Sequence, residues 1–202
     1  MTASEFEALV DSTAGLQPLR RLFHAVLGLG CAVLLWTVDP PRTPALVGCG
    51  SLALLLLAAD LIRLAVPRLN VVFFRTFRVL TSPREARGIA SSTWYVVGIL
   101  ACLVLFPMGI VVPAIIVLAV ADPAAHYVGR RWGARQLGTG TVEGAAAFVM
   151  VGFLLLRPFV PGGTALVAAL VAALAELLPW KLDDNLVIPL SVATVLSVNG
   201  GD

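Results

Sequence analysis

The chain has 202 residues, of which 59% are hydrophobic and 13% carry a charge. Soluble globular domains average about 45–50% apolar and about 25% charged residues, so this composition excludes a disordered chain, a disulfide scaffold and most cytosolic enzymes. The formal net charge of +2 gives no support for nucleic-acid binding. The three cysteines lie far apart in apolar segments without CxxC spacing, which favours buried thiols over a zinc site or a disulfide framework.

Seven apolar segments indicate membrane helices, because a helix needs ~20 residues to cross the hydrocarbon core. The uncharged run 88–121 is too long for one crossing, and Pro107-Met108-Gly109 offers a turn in its middle. The predicted segments are 22–38, 43–59, two helices within 88–121, 144–156, 158–178 and 186–198. The sequence therefore predicts an all-α, polytopic transmembrane bundle of about seven helices. Residues 20–202 form its single domain, after an N-terminal segment over 1–19.

The basic residues segregate strongly if successive segments cross in alternate directions. Only Arg42 and Arg157 fall on one side. The other side holds Arg20, Arg21, Arg63, Arg68, Arg75, Arg78, Arg84, Arg87, Arg130, Arg131, Arg135 and Lys181. The positive-inside rule then places the N-terminus in the cytoplasm and the C-terminus outside. We expect an integral, multi-pass membrane protein whose oligomeric state the sequence leaves open.

Residues 70–87 alternate apolar side chains with arginines, which is typical of an interfacial segment. Ser82-Pro83-Arg84-Glu85 has the pattern of a helix start, with Ser82 as N-cap and Glu85 as its capping-box partner. A role for Glu85 in an active site is an equally good interpretation. Asp60 stands inside an apolar run, and we expect it to pair with Arg63 one turn later.

Carboxylates stand at or near the ends of several segments on the predicted cytoplasmic side. Asp122, His126 and Arg130 are spaced by four, so a helix would place them along one face. Glu143, Glu176 and the pair Asp183-Asp184 occur later in the chain. Because burying an ionised side chain in a membrane is expensive, such residues are candidates for function.

These residue types together predict a metal-bound phosphate at the cytoplasmic face. Carboxylates with Asn185 suit Mg²⁺, which prefers oxygen ligands. Arg130, Arg131 and Arg135 suit phosphate oxygens, and nearby glycines allow close backbone approach. Neither a Walker A motif nor a GxGxxG turn occurs, so another structure would hold a nucleotide. Simpler interpretations stay open: topology determinants for the arginines, a solvated loop for Asp183-Asp184, and a favourable helix-dipole charge for Glu143.

The chain resembles the CTP-dependent lipid kinases, which include dolichol kinase, phytol kinase and the yeast-type diacylglycerol kinase and are related to phosphatidate cytidylyltransferases. The resemblance spans roughly residues 20–190, and its motifs occur in the family's order. They are Arg21-Leu22-Phe23-His24 before Gly28, Ala121-Asp122 with Gly129-Arg130-Arg131-Trp132-Gly133, Gly140-Thr141-Val142-Glu143-Gly144, Glu176, and Asp184-Asn185-Leu186-Val187-Ile188-Pro189. Ala121 and Gly140 depart from the family pattern, which has Gly and Lys there.

The resemblance implies phosphoryl transfer from a nucleotide, which in this family is CTP, to the hydroxyl of a lipid alcohol such as dolichol, phytol or diacylglycerol. We assign Asp122 and Asp184 to Mg²⁺ binding, with Asp183 in support. Glu143 or Glu176 would orient the lipid hydroxyl or accept its proton. The assigned nucleotide and phosphate contacts are Gly129, Arg130, Arg131, Gly133, Arg135, Thr141 and Asn185, with Arg131 or Arg135 replacing the family Lys charge.

Two other functions stay open at this point. A cytidylyltransferase that makes a CDP-lipid needs the same metal and phosphate groups, but its Lys-Asp, His-Gly-Gly and Asp-Arg signature does not occur here. A transporter or scaffold without chemistry would show polar residues spread through the membrane depth or an inverted repeat. The clustered carboxylates favour an enzyme.

Overall fold

The computed structural model describes residues 3–14, 17–178 and 182–199. Lys181, one of the predicted cytoplasmic charges, lies outside these residues. The elements in chain order are α1 (Ala3–Asp11), α2 (Gln17–Val38), α3 (Arg42–Ala65), α4 (Pro67–Thr76), a 3₁₀ turn (Pro83–Ala86), α5 (Ser91–Leu105), α6 (Met108–Trp132), β1 (Gln136–Leu137), β2 (Gly140–Thr141), α7 (Val142–Leu156), α8 (Gly162–Leu177) and α9 (Asp184–Asn199).

Each of the seven predicted segments contains a helix, so the predicted all-α class is confirmed. The segment predicted at 158–178 becomes helical only at Gly162. The long uncharged run divides where expected: Phe106 and Pro107 are extended, and α6 begins at Met108. The helix α6 runs on to Trp132, beyond the predicted segment end at 121. Its polar extension remains helical because one face, which carries Asp122 and His126, turns into the bundle, while Tyr127 on another face is exposed.

Helix α6 forms the centre of the bundle and contacts α2, α7 and α9. Side chains along it are fully buried, including Val111, Ile115 and Val117. Helix α8 lies between α7 and α9, and its alanines allow close approach: Gly152 of α7 faces Ala169. Small residues thus bring the helix that carries Glu176 close to the rest of the bundle.

Three helices, α2, α3 and α6, are long and apolar enough to cross a membrane, and α5, α7, α8 and α9 are shorter apolar helices. Much of the apolar surface faces outward, as Val26 at 60% and Leu54 at 70% exposure illustrate. In water such a surface would favour aggregation, whereas in a bilayer it lies against lipid tails. The fold is that of a helical membrane bundle.

The two ends of the bundle differ in polarity. Arg42 donates a hydrogen bond of 2.6 Å to the carbonyl of Val104, at the end of α5. The other end of α5 begins at Ser91, whose hydroxyl contacts Arg20. Arg42 and the arginine-rich segments that surround the start of α5 therefore lie at opposite ends of this helix, as the charge partition predicts.

The segment before α5 differs from its prediction. Pro83 begins a 3₁₀ turn as expected, but the buried Ser82 hydroxyl makes no capping hydrogen bond. Glu85 is not a capping-box partner, because its Oε1 atom accepts from Arg20 (3.1 Å) and Ser91 (3.0 Å) instead. A buried guanidinium competes successfully for this carboxylate, since it offers both charge and a hydrogen bond.

Candidate active site

The carboxylate cluster consists of Asp122, His126 and Glu176, which meet between α6 and α8. His126 Nδ1 lies 3.2 Å from Asp122 Oδ1 and 3.5 Å from Glu176 Oε1. The Asp122–His126 contact follows from the i, i+4 spacing on one helix, whereas Glu176 comes from a distant part of the chain. One ligand atom from each residue lies within 4.8 Å of the others, so together they form a group with metal-binding spacing.

The cluster borders a central cavity of about 620 Å³. Four arginines line it: Arg20, Arg21, Arg84 and Arg130. The other lining residues are Ser82, Pro83, Ala125, His126, Gly129, Gln136, Thr139, Gly140, Thr141, Gly144, Ala145, Glu176, Leu177 and Asp184. Guanidinium groups bind phosphate oxygens in bidentate fashion, so the lining suits a polyanion next to carboxylates.

Three polar atoms beside the central cavity are buried and, among the described residues, have no hydrogen-bond partner: Nε of Arg20, Nε of Arg21 and the hydroxyl of Ser82. Arg20 itself is only 6% exposed. A buried donor without a partner costs free energy comparable to a lost hydrogen bond. Their concentration at one cavity favours a ligand that supplies acceptors.

Ion pairs connect the arginines to acidic residues. Arg21 Nη1 lies 3.6 Å from Asp122 Oδ2, so α2 and the carboxylate cluster are joined. Arg20 pairs with Glu85, and both side chains are more than nine-tenths buried. Burial raises the pKa of the Glu85 carboxyl, while Arg20 and the Ser91 hydroxyl oppose that rise. Arg84 lies 4.0 Å from Asp183 and is largely exposed.

A short hairpin forms one wall of the cavity and anchors the helix that carries Glu176. Strands β1 and β2 are antiparallel, with Leu137 opposite Gly140. Gly138 at the turn has φ +57°, which favours glycine. The adjoining Thr139 donates from its amide to the Leu177 carbonyl (3.2 Å) and from its hydroxyl to the Glu176 carbonyl (2.9 Å). These bonds fix the C-terminal end of α8.

Glycines allow α6 and α7 to approach closely next to this hairpin. A Cβ on Gly144 would lie 2.9 Å from the Ala125 carbonyl oxygen, and one on Gly129 would lie 2.8 Å from Thr141 Oγ1. Thr141 also caps α7, because its Oγ1 accepts from the Gly144 amide at 3.1 Å. The predicted glycines and Thr141 therefore shape the cavity wall through close packing and capping.

The Asp183–Asn185 stretch enters α9 beside the cavity. Asp184 lines the cavity, and its carboxylate is close enough to Asp122 and Glu176 for mutual repulsion. Asp183 Oδ1 accepts from the Asn185 amide nitrogen at 3.1 Å and from its side chain at 2.6 Å. Asn185 also donates to the Ser91 carbonyl at 3.3 Å. Asp183 and Asn185 therefore stabilise this helix start, while Asp184 is presented to the cavity.

Seven of the twelve predicted site residues do not line the central cavity. Asp122 and Asp183 contact the lining residues His126 and Arg84, and Asn185 follows Asp184 in the chain. The other four are Glu143, Arg131, Gly133 and Arg135. Glu143 Oε2 accepts from the Arg135 amide at 3.5 Å. The Arg131 guanidinium lies 5.8 Å from the ring centroid of Trp132, and Gly133 and Arg135 are exposed at the surface. The structure thus separates these residues from Gly129, Arg130, Thr141, Glu176 and Asp184, which share the cavity lining.

The cavity also contains residues that the sequence did not assign to the site. The sequence offers Arg20 and Arg84 only as topology determinants, and it offers Arg21 also as the first residue of a motif that resembles the family. The i, i+4 spacing places His126 on the same helix face as Asp122, but the sequence does not indicate a role for it. For Arg20 and Arg21, the sequence signal was their position just before His24 and Gly28.

A buried polar network supports the segment that carries Arg84. Arg63 Nε lies 2.6 Å from Asp60 Oδ1, which confirms the predicted pair. Asp60 Oδ2 accepts from the Ala90 amide at 2.9 Å and from the Thr93 hydroxyl at 2.6 Å. Arg63 also donates to the carbonyls of Glu85 and Gly88. The network ties α3 to both ends of the segment before α5.

The site chemistry fits a divalent cation bound together with phosphate. The carboxylates of Asp122, Glu176 and Asp184 repel one another, and those of Glu176 and Asp184 belong to residues that line the central cavity. Oxygen ligands suit Mg²⁺, which usually binds through one or two carboxylates plus substrate phosphates and retained waters. A cation would offset the repulsion, and the four arginines would offset the phosphate charge.

Comparison with known proteins supports a membrane-bound lipid kinase. No protein-family model matches the chain, and no solved structure matches it. The chain is similar to CTP-dependent diacylglycerol kinase 1 of Schizosaccharomyces pombe, with 26% identity over 199 aligned residues that cover 86% of each protein. This similarity supports the family of CTP-dependent lipid kinases, which the sequence motifs had indicated.

Proposed function

We propose that the protein transfers the γ-phosphoryl group of CTP to the hydroxyl of a lipid alcohol. The observation that carries this proposal is one cavity in which four arginines lie next to Glu176 and Asp184. Two of these arginines, Arg20 and Arg21, have a buried Nε atom that finds no hydrogen-bond partner among the described residues. The similarity of the chain to a CTP-dependent diacylglycerol kinase makes CTP the proposed donor and diacylglycerol the first acceptor to test. Dolichol and phytol are further acceptors of the same chemical class.

Phosphoryl transfer depends mainly on positioning and charge stabilisation. Arg20, Arg21, Arg84 and Arg130 would bind the triphosphate oxygens. Asp122 and Asp184 would hold Mg²⁺, which would neutralise charge on the transferred group. The lipid oxygen forms a bond to the γ-phosphorus, the bond to the β-phosphate oxygen breaks, and CDP leaves.

We assign Glu176 as the group that orients the lipid hydroxyl and accepts its proton. Its carboxylate lines the cavity, whereas that of Glu143 accepts a backbone amide outside it. His126 lies between Asp122 and Glu176 and is a positioning residue: its Nδ1 atom is 3.1 Å from the Asp122 carbonyl oxygen and within 3.5 Å of both carboxylates, so the ring fixes their separation. The tautomer at this ring is inferred from its neighbours.

We further propose that the seven apolar helices cross the membrane and that the cavity opens to the cytoplasm. The arginine-rich end of the bundle carries the cavity, and the positive-inside rule places that end on the cytoplasmic side. Soluble CTP would then enter from the cytoplasm. The lipid tail would remain among the outward-facing apolar side chains of the helices while its hydroxyl reached Glu176.

Labelled nucleotide tests the proposal directly. Purified protein in detergent micelles receives Mg²⁺, either one lipid alcohol from the panel or its phosphorylated form, and CTP labelled at either the γ- or the α-phosphate. We expect γ-label on the lipid and no α-label. Transfer of α-label alone would show a cytidylyltransferase, and absence of both labels from every lipid would refute the kinase.

A further inference from the structure

We propose that the nucleoside part of the nucleotide binds in a second cavity, between α1 and the 3₁₀ turn. This inference rests on the proposed function, because it assumes that the triphosphate occupies the central cavity. The second cavity has a volume of about 530 Å³. Its lining consists of Phe6, Glu7, Val10, Asp11, Pro83, Arg84, Ala86 and Arg87.

The two cavities share a wall. Pro83 and Arg84 line both of them. A nucleotide whose phosphates contact Arg84 in the central cavity would therefore extend past Arg84 to place its ribose and base in the second cavity. Both cavities lie at the arginine-rich end of the bundle, where a soluble nucleotide would arrive.

Buried and part-buried hydrogen bonds hold the backbone that follows the shared wall. Arg63 donates to the Glu85 carbonyl at 2.9 Å and to the Gly88 carbonyl at 2.8 Å. Asn70 donates to the Ala86 carbonyl at 2.9 Å. These bonds fix the backbone around Arg84 and Arg87, so the side of the second cavity formed by the 3₁₀ turn is preformed.

The polar groups of the second cavity match the hydrogen-bonding edge of cytosine. Glu7 Oε1 lies 3.7 Å from Arg87 Nη2, which puts an acceptor beside a donor. Cytosine presents an N4 amino donor, which carboxylates accept well, next to its N3 and O2 acceptors. Uracil presents an O4 acceptor and an N3–H donor at the corresponding positions. Its O4 atom and the Glu7 carboxylate are both acceptors, so they could not form a hydrogen bond with each other.

The same ion pair is available for a ligand. Its side chains are 90% exposed for Arg87 and 69% exposed for Glu7, and exposed pairs contribute little stability. Exchanging this contact for hydrogen bonds to a base therefore costs little. The geometry assigns Glu7 and Arg87 as the residues that distinguish CTP from UTP.

Direct nucleotide binding tests this assignment in the full-length protein. The dissociation constants of Mg-CTP and Mg-UTP are measured for the wild type, Glu7→Gln and Arg87→Gln. An amide presents either a donor or an acceptor, so Glu7→Gln should reduce the preference for CTP over UTP by about tenfold. Arg87→Gln should weaken CTP binding several-fold. Glu5→Gln, on the same helix but outside the cavity lining, should keep the wild-type ratio.

The outcomes separate this inference from the proposed function. Equal affinity of the wild type for CTP and UTP, or an unchanged ratio in Glu7→Gln, overturns the nucleoside site even if lipid phosphorylation is observed. Selective CTP binding that depends on Glu7, without phosphoryl transfer to any lipid, supports the site and refutes the kinase. Absence of nucleotide binding contradicts both.

Discussion

Replacing Asp60 with Asn should destabilise the protein because this carboxylate is the centre of a buried network. Only 3% of Asp60 is exposed, and its two oxygens accept from Arg63, the Ala90 amide and the Thr93 hydroxyl. The asparagine side chain keeps one oxygen acceptor, but its NH₂ group would face one of the donors that bind the Asp60 carboxylate. Breaking a buried ion pair by removing one charge typically costs about 3–5 kcal/mol.

The Arg63 bonds to Asn70, Glu85 and Gly88 survive in this variant, so the lower end of that range, about 3 kcal/mol, is expected. For a chain of this length, that loss corresponds to a Tm decrease of about 6–12 °C. The CTP KM should also rise, because the weakened segment carries Arg84.

Thermal unfolding in detergent measures this effect when a thiol-reactive fluorophore reports the exposure of the fully buried Cys102, in a background in which the partly buried Cys31 and Cys49 are replaced by Ala. Asp39→Asn is the matched control, since Asp39 is exposed and asparagine tolerates its positive φ of 42°. A Tm for Asp60→Asn within about 2 °C of the wild type would refute the reasoning, because it corresponds to no more than about 1 kcal/mol.

Three further outcomes follow from the packing and charge of the site. Gly144→Ala should lower the free energy of unfolding by about 1–3 kcal/mol, because its Cβ would press on the Ala125 carbonyl, whereas Gly163→Ala meets nothing within 4 Å and should not lower the Tm. Arg84→Ala should raise the CTP KM about tenfold or more, as expected for a lost charged hydrogen bond, while Arg157→Ala at a distance from the cavity should leave it unchanged. Chelation by EDTA should abolish phosphoryl transfer and added Mg²⁺ should restore it, so full activity in EDTA would contradict the role assigned to the carboxylates.

The helices could be predicted from the sequence because apolar length and charge interruptions both have physical causes in the membrane. The i, i+4 spacing also placed Asp122 next to His126 on one helix face. The orientation of Glu143 could not be predicted in the same way. Helix α7 is apolar on nearly all sides, so no amphipathic pattern indicates which face of it turns toward the cavity.

The arginines show a second limit of sequence reasoning. A basic residue at a membrane-segment end has the same local pattern whether it sets topology or binds a phosphate. Arg20 is distinguished only by its contacts with Glu85 and Ser91, which are 65 and 71 positions away in the chain. Such long-range pairs depend on how the tertiary fold places α2 next to the 3₁₀ turn and the start of α5, which composition and periodicity do not specify.

The central claim is that catalysis takes place at the cavity where Glu176 meets Asp122 and His126. The most direct test compares kcat for lipid phosphorylation in Glu176→Gln and Glu143→Gln, two identical chemical changes at predicted site residues. We expect Glu176→Gln to lower kcat by about 10²–10⁴-fold, the range for loss of a general base, and Glu143→Gln to remain within a few-fold of the wild type. Normal turnover in Glu176→Gln, together with loss of activity in Glu143→Gln, would contradict the account.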